Sequence, residues 1–110
     1  QALVALVVES VGEAGCHVVS HISHRFAGPD SGVTGLVLLS ESHAAFHTYP
    51  EHGYMAVDIF SCGVPSPDTA LAAMVQVLQP QRVETSTHRR GDGIGDIYRG
   101  AAEFAETGRR

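Results

Sequence analysis

"VTGLVLLSESHAAFHTYPEHGYMAVDIFSC", residues 33–62, carries the pattern that decides the fold. Residues 33–40 (VTGLVLLS) and 43–49 (HAAFHTY) read as two strands joined at Glu41 and Ser42. Pro50 and Gly53 bracket a turn into a third strand, 54–62 (YMAVDIFSC). In that strand Tyr54, Ala56, Asp58, Phe60 and Cys62 share one face, and Met55, Val57, Ile59 and Ser61 share the other. Strands joined by connections this short pair antiparallel. The junction is unusual, because SESHAAFH sets serines, a glutamate and two histidines into the most apolar part of the chain.

Upstream, residues 16–26 (CHVVSHISHRF) alternate as a strand, and AGPDSG at 27–32 has turn chemistry. Residues 2–14 (ALVALVVESVGEA) are apolar enough for a buried helix, their valines leave a strand open, and Gly15 is a helix stop. Downstream, 66–78 (SPDTALAAMVQVL) is the clearest helix. Ser66 or Asp68 caps it, Leu71, Met74, Val75 and Leu78 form its apolar stripe, and Pro80 ends it. Residues 81–89 (QRVETSTHR) read as a last strand, GDGIG at 91–95 as a loop, and the segment from Asp96 as a peripheral helix or a tail. The expected fold class is α+β, a two-layer sandwich of an antiparallel sheet with helices on one face. Val33, Leu36–Leu39 and Val57 make the sheet apolar on both sides. One helix layer covers one side, so a partner is expected over part of the other.

The 110 residues suit one domain, 1–110. Twelve acidic against seven basic side chains give a net charge of −5, which argues against nucleic acid or an anionic membrane as partner. No apolar run of about 18 residues marks a membrane span, and no signal peptide is apparent, so the expected location is cytoplasmic. Cys16 and Cys62 could pair, but in that compartment thiols stay reduced. For a metal the spacings are poor. His43 and His47 share a strand face but lie about 13 Å apart at roughly 3.3 Å per residue, and His21 and His24 point to opposite faces. Cys62, at a strand end, and His47, on a neighbouring strand, could meet as a thiol–imidazole pair; a buried structural thiol is the commoner role.

Ser42 directly follows Glu41 at a strand boundary. A serine hydroxyl held against the preceding carbonyl can attack it. The N-to-O acyl shift gives an ester, and β-elimination leaves a pyruvoyl ketone, an electrophile that forms a Schiff base with an amine and drains electrons in a decarboxylation. HRF (24–26), SGVTG (31–35), SESH (40–43), HTYPEHGY (47–54) and VDIFSCG (57–63) together closely resemble the prokaryotic S-adenosylmethionine decarboxylases, pyruvoyl enzymes of polyamine synthesis. The order and intervals of these motifs fit that family over residues 3–91, with the family's first strand missing from this chain.

The resemblance implies autocatalytic cleavage at Glu41–Ser42, with Ser42 becoming the pyruvoyl group. It implies that His47 and Thr34 assist processing, and that Cys62 is the acid returning a proton to the substrate carbon. Glu51 would bind the ribose hydroxyls and Phe26 would stack on adenine. The implied reaction makes the aminopropyl donor for spermidine. The implied assembly is a homodimer of processed protomers with active sites near the subunit interface. Two alternatives stay open: a pyruvoyl decarboxylase of a free basic amino acid, ornithine or arginine, and an unprocessed, non-catalytic homologue.

Overall fold

The computed structural model describes residues 2–62, 67–90 and 97–105, with the backbone alone for Cys62, 89–90 and 97–105. Helix α1, Ala2–Glu13, leads into β1, Val18–Arg25; β2, Val33–Leu39; and β3, His43–Tyr49. A single 3-10 turn, Pro50–His52, precedes β4, Tyr54–Cys62. Helix α2, Pro67–Leu78, then leads to β5, Arg82–Arg90, and β6, Ile97–Ala105. The six strands form one antiparallel sheet in the order β1-β2-β3-β4-β6-β5.

The meander of β2, β3 and β4 forms as its alternation predicts. Direct ladder partners share a face, so Gly35, Phe46 and Val57 lie in one row and Val37, Ala44 and Ile59 in the next. These rows, with Val33, Leu39 and Met55, bury against Val4, Val7 and Val11 of α1 and Ala70, Leu71 and Met74 of α2. Both helices therefore cover one face, and the expected two-layer α+β architecture holds. Gly35 has a packing reason. A Cβ there would overlap the ring of the fully buried Phe46, so the ring fills the space a side chain would need. The far end of the β2–β3 hairpin is pinned by Thr48, whose hydroxyl oxygen accepts the Val33 N–H at 2.8 Å.

Residues 2–13 resolve as a helix because Val4, Val7 and Val11 share one stripe, the period of a helix buried on one side. Its end is a Schellman motif: the Cys16 N–H bonds the Val11 carbonyl at 3.0 Å and the Gly15 N–H bonds that of Gly12 at 3.0 Å, with Gly15 left-handed at φ 101°. Helix α2 buries Leu71 and Met74 as its stripe predicts, with Val75 and Leu78 packed at the margin. Its start at Pro67 places Asp68 inside the first turn, and the alternative cap, Ser66, lies outside the described residues.

Two expectations change. The segment from Asp96, read as a peripheral helix or tail, contains strand β6. It pairs along nine residues with β4 on one side and nine with β5 on the other. Alternation in IYRGAAEFA is weak, and ladder hydrogen bonds to two neighbours override it. The loop expected at 91–95 lies outside the described residues. In β1, alternation gives no buried face: beyond the half-buried Val18 every residue is exposed. This strand is an edge, paired to β2 alone among the described residues, and neither helix buries its side chains.

Candidate active site

The β2–β3 connection, Ser40–Glu41–Ser42, is held by two backbone bonds. The Leu39 N–H bonds the Ser42 carbonyl at 3.0 Å, closing the hairpin, and the Ser40 N–H bonds the His17 carbonyl at 3.1 Å. The Schellman end of α1 delivers Cys16 and His17 to that contact. Below the turn lies a cavity of about 160 Å³, lined by Cys16, His17, Leu39, Glu41, Ser42 and Ser61 among others. Burial pushes the Cys16 thiol above its ordinary pKa, so it stays a protonated, free thiol. The β3–β4 ladder ends at His43–Phe60, and the next residues beyond that pair, Ser42 and Ser61, both line the cavity. Cys62 follows as the last residue of β4, opposite Ile97, and its side chain lies outside the described residues.

Thr34, His47, Phe26 and Glu51 gather at the other end of the sheet. Thr34 and His47 are direct partners in the β2–β3 ladder, and Thr34 Oγ1 lies 3.1 Å from His47 Nδ1. His24, on β1, is the ladder partner of Thr34 on its other side. The His24 ring meets Phe26 edge to face, with centroids 4.8 Å apart and planes at 86°. Phe26 opens the turn after β1, its N–H bonded to the Gly32 carbonyl at 2.9 Å, and half its surface is exposed. Glu51 is exposed in the 3-10 turn that follows β3.

The structure thus brings together Glu41, Ser42 and the end of β4 at one end, and Phe26, Thr34, His47 and Glu51 at the other. It does not bring the two groups together. Ser42 and His47 are five residues apart along one strand, about 16 Å at roughly 3.3 Å per residue. Nor do Cys62 and His47 meet, as their neighbouring strands suggested: His47 pairs with Ala56, six residues from Cys62, or about 20 Å. Two residues near these groups escaped the sequence reading. Ser61 was placed with the helix-facing residues of β4, and a lone serine among Met55, Val57 and Ile59 was the available signal. His24 opens the HRF motif, 24–26, which gives it no role of its own; its place beside Thr34 follows from the β1–β2 ladder.

Between the two groups the outer face of the sheet exposes apolar side chains that no other described residue covers. Ile22, Leu36 and Ala45 form one ladder row, and Leu38 lies in the next. Ile22, Leu36 and Leu38 are 70%, 46% and 50% exposed. His43 belongs to this face, stacked on Phe60 with centroids 5.7 Å apart and 3.9 Å from Asp58. Among the described residues no cluster of three metal-ligating side chains occurs, and no helix is long and apolar enough to cross a membrane.

An antiparallel sheet covered on one face by two helices, with the SESH turn at its edge, is an architecture with a solved counterpart. The crystal structure of the adenosylmethionine decarboxylase from Aquifex aeolicus VF5 superposes with a TM-score of 0.56 at 27% identity, covering 98% of this chain and 75% of that one. The family model for S-adenosylmethionine decarboxylase matches residues 1–91, and the chain belongs to that family. Among curated relatives, the S-adenosylmethionine decarboxylase proenzyme of Prochlorococcus marinus is 47% identical over 78 residues, covering 70% of this chain and 62% of that protein. That of Thermosipho melanesiensis is 43% identical over 90 residues, covering 79% and 68%. That of Pyrobaculum aerophilum is 42% identical over 84 residues, covering 76% and 66%. The chain thus spans about two thirds of the length of these relatives.

Proposed function

We propose that this chain is the proenzyme of a pyruvoyl-dependent S-adenosylmethionine decarboxylase that cuts itself between Glu41 and Ser42. The observation that carries the reading is the placement of the Glu41–Ser42 bond, in a hairpin turn clamped by two backbone hydrogen bonds above a cavity. The family match spans this bond, and the curated relatives are named as proenzymes. Ser42 Oγ attacks the Glu41 carbonyl carbon; the C–O bond forms, the C–N bond breaks, and the hydroxyl proton passes to the freed amine. A base then removes the Ser42 Cα proton, the Cβ–O ester bond breaks, and the chain ending at the Glu41 carboxylate leaves. Water converts the remaining enamine, through its imine tautomer, to a ketone and ammonia. The pyruvoyl ketone supplies the electron sink for loss of CO2 from a bound amino acid.

The residues of this chain fit that group. For His47 to take a proton at Nε2, its Nδ1–H must donate to Thr34 Oγ1, and the 3.1 Å contact suits that tautomer. Phe26 offers a half-exposed ring to adenine and Glu51 an exposed carboxylate to ribose hydroxyls. A thiol at Cys62 of ordinary pKa, about 8.5, is mostly protonated at neutral pH and can return a proton to the substrate carbon. The reading places the protein in the cytoplasm, where thiols stay reduced.

The reading includes a homodimer. With about 16 Å between them in one chain, Ser42 and His47 cannot form one site alone. Two sheets packed through their outer faces about a two-fold axis, in opposite directions, would set the turn end of one chain against the His47 end of the next. The exposed Ile22, Leu36 and Leu38 supply the apolar contact. His47 of the partner subunit then serves Ser42 from above the sheet.

The test is direct. On a denaturing gel the purified protein gives two fragments, 1–41 and 42–110, the second with a blocked N-terminus. CO2 is released from S-adenosylmethionine and not from ornithine or arginine. An intact chain releasing no CO2 from any of the three would leave the non-catalytic homologue standing.

A further inference from the structure

Ser61 is unexplained by the reaction as written. It is 1% exposed, on the helix-facing side of β4, in a row otherwise filled by Met55, Val57 and Ile59. Ser10 and Ser61 are the buried polar side chains among the described residues. Burying a hydroxyl among aliphatic groups costs stability relative to an alanine or valine of the same site unless the hydroxyl is bonded. No buried side-chain nitrogen or oxygen among the described residues is left without a hydrogen-bond partner. A serine at this position therefore has a bonding task.

Its location says which. Ser61 lines the same cavity as Glu41 and Ser42, and Ser42 and Ser61 are the residues just past the last β3–β4 ladder pair, His43–Phe60. The backbone of the turn is fixed by the Leu39 and Ser40 hydrogen bonds, but those bonds leave the Ser42 side-chain torsion unset. The acyl shift needs that torsion set, because Oγ must sit over the Glu41 carbonyl carbon, and a wrong rotamer points it away. Effective attack requires reacting atoms held about 3–3.5 Å apart. Ser61 is the one neighbouring hydroxyl on β4, and it approaches from beneath the sheet, opposite the face assigned to the partner's His47.

We propose that Ser61 is a positioning residue for self-cleavage, its hydroxyl holding that of Ser42 against the Glu41 carbonyl from the cavity beneath the turn. The proposal rests on the cleavage reading above and adds a residue to its first step. It is tested in the full chain by pulse-labelled translation, following the loss of the intact band on a denaturing gel. Ser61→Ala and Ser61→Val slow the cut, on the order of ten- to hundredfold for a misplaced nucleophile. Ser61→Thr, which has the shape of valine but keeps the hydroxyl, restores it. The threonine–valine pair separates bonding from packing even if alanine loosens the fold. Hydroxylamine, which cuts an ester, gives no rapid cleavage of Ser61→Val, because the ester has not formed.

Valine cutting as fast as threonine, or threonine as slowly as valine, overturns the proposal. So does hydroxylamine cutting Ser61→Val at once, since the ester then forms without the Ser61 hydroxyl. If the unsubstituted chain itself never splits, the cleavage reading fails first, and that result is visible in the same gel.

Discussion

The two ends of the sheet differ in how much of a site each one completes. At the turn end, Glu41 and Ser42 are clamped by backbone bonds, floored by a cavity and flanked by the buried Ser61. These contacts all come from one chain. At the other end, the Thr34–His47 contact and the His24–Phe26 pair stand on an uncovered face, with Phe26 half-exposed and Glu51 exposed. Hydrogen bonds open to water contribute little, and an exposed ring excludes no solvent. The difference teaches that, under the proposed cleavage, the first end would make the reactive group, whereas the second would act only when another surface covers it.

The comparison breaks most severely at Ser42. Ser42→Ala has no hydroxyl to attack Glu41, so the chain stays as one band and releases no CO2. Any two-fragment pattern from that variant would put the cut, and the turn end's function, elsewhere. Cys62→Ser is expected next in size. The fold is kept, but an alcohol is a far weaker acid than a thiol. Turnover falls on the order of 10²–10⁴-fold, the range general acid catalysis supplies. Inactivation by misprotonation at the pyruvoyl carbon rises over successive turnovers, seen as a progress curve that flattens early. Normal turnover without that flattening would return Cys62 to the role of a structural thiol.

A smaller effect sharpens the two-chain reading. Ser42→Ala blocks processing and His47→Ala slows it. Co-expressed, they form mixed dimers in which one of two sites has its serine from one chain and its histidine from the other. Equal mixing restores about a quarter of wild-type sites. No recovery, or a monomeric mass across micromolar concentrations, would confine the site to one chain despite the separation along β3.

Gly35→Ala leaves both ends chemically intact and has the smallest effect on turnover. Its methyl meets the Phe46 ring in a packed core, so stability falls by about 1–3 kcal/mol. Thermal unfolding would register this as a drop of about 4–8 °C per kcal/mol for a domain near this size. An unchanged melting temperature would show that Phe46 has room to move.

By itself the sequence determined the local elements with strong periodicity and the chemistry they carry. Strict alternation in 54–62 named the buried face of β4, and the stripe from Leu71 named that of α2, because side-chain period is a local property of each backbone. Glu41–Ser42 and the surrounding motifs pointed to self-cleavage before any coordinates, since the attacking hydroxyl and the carbonyl it attacks belong to adjacent residues. Partnership between distant segments was left to the tertiary structure. Strand β6 exists because β4 and β5 both bond to it, and β1 is exposed because it is an edge strand paired to β2 alone among the described residues. The separation of Ser42 from His47 belongs between the two cases. The spacing arithmetic that parts His43 from His47 already parts Ser42 from His47, but only the ladder shows that Ser42 sits beside the end of β4 and His47 beside Thr34. Register is fixed by which faces the helices bury, and that is a property of the packed sheet rather than of any one strand.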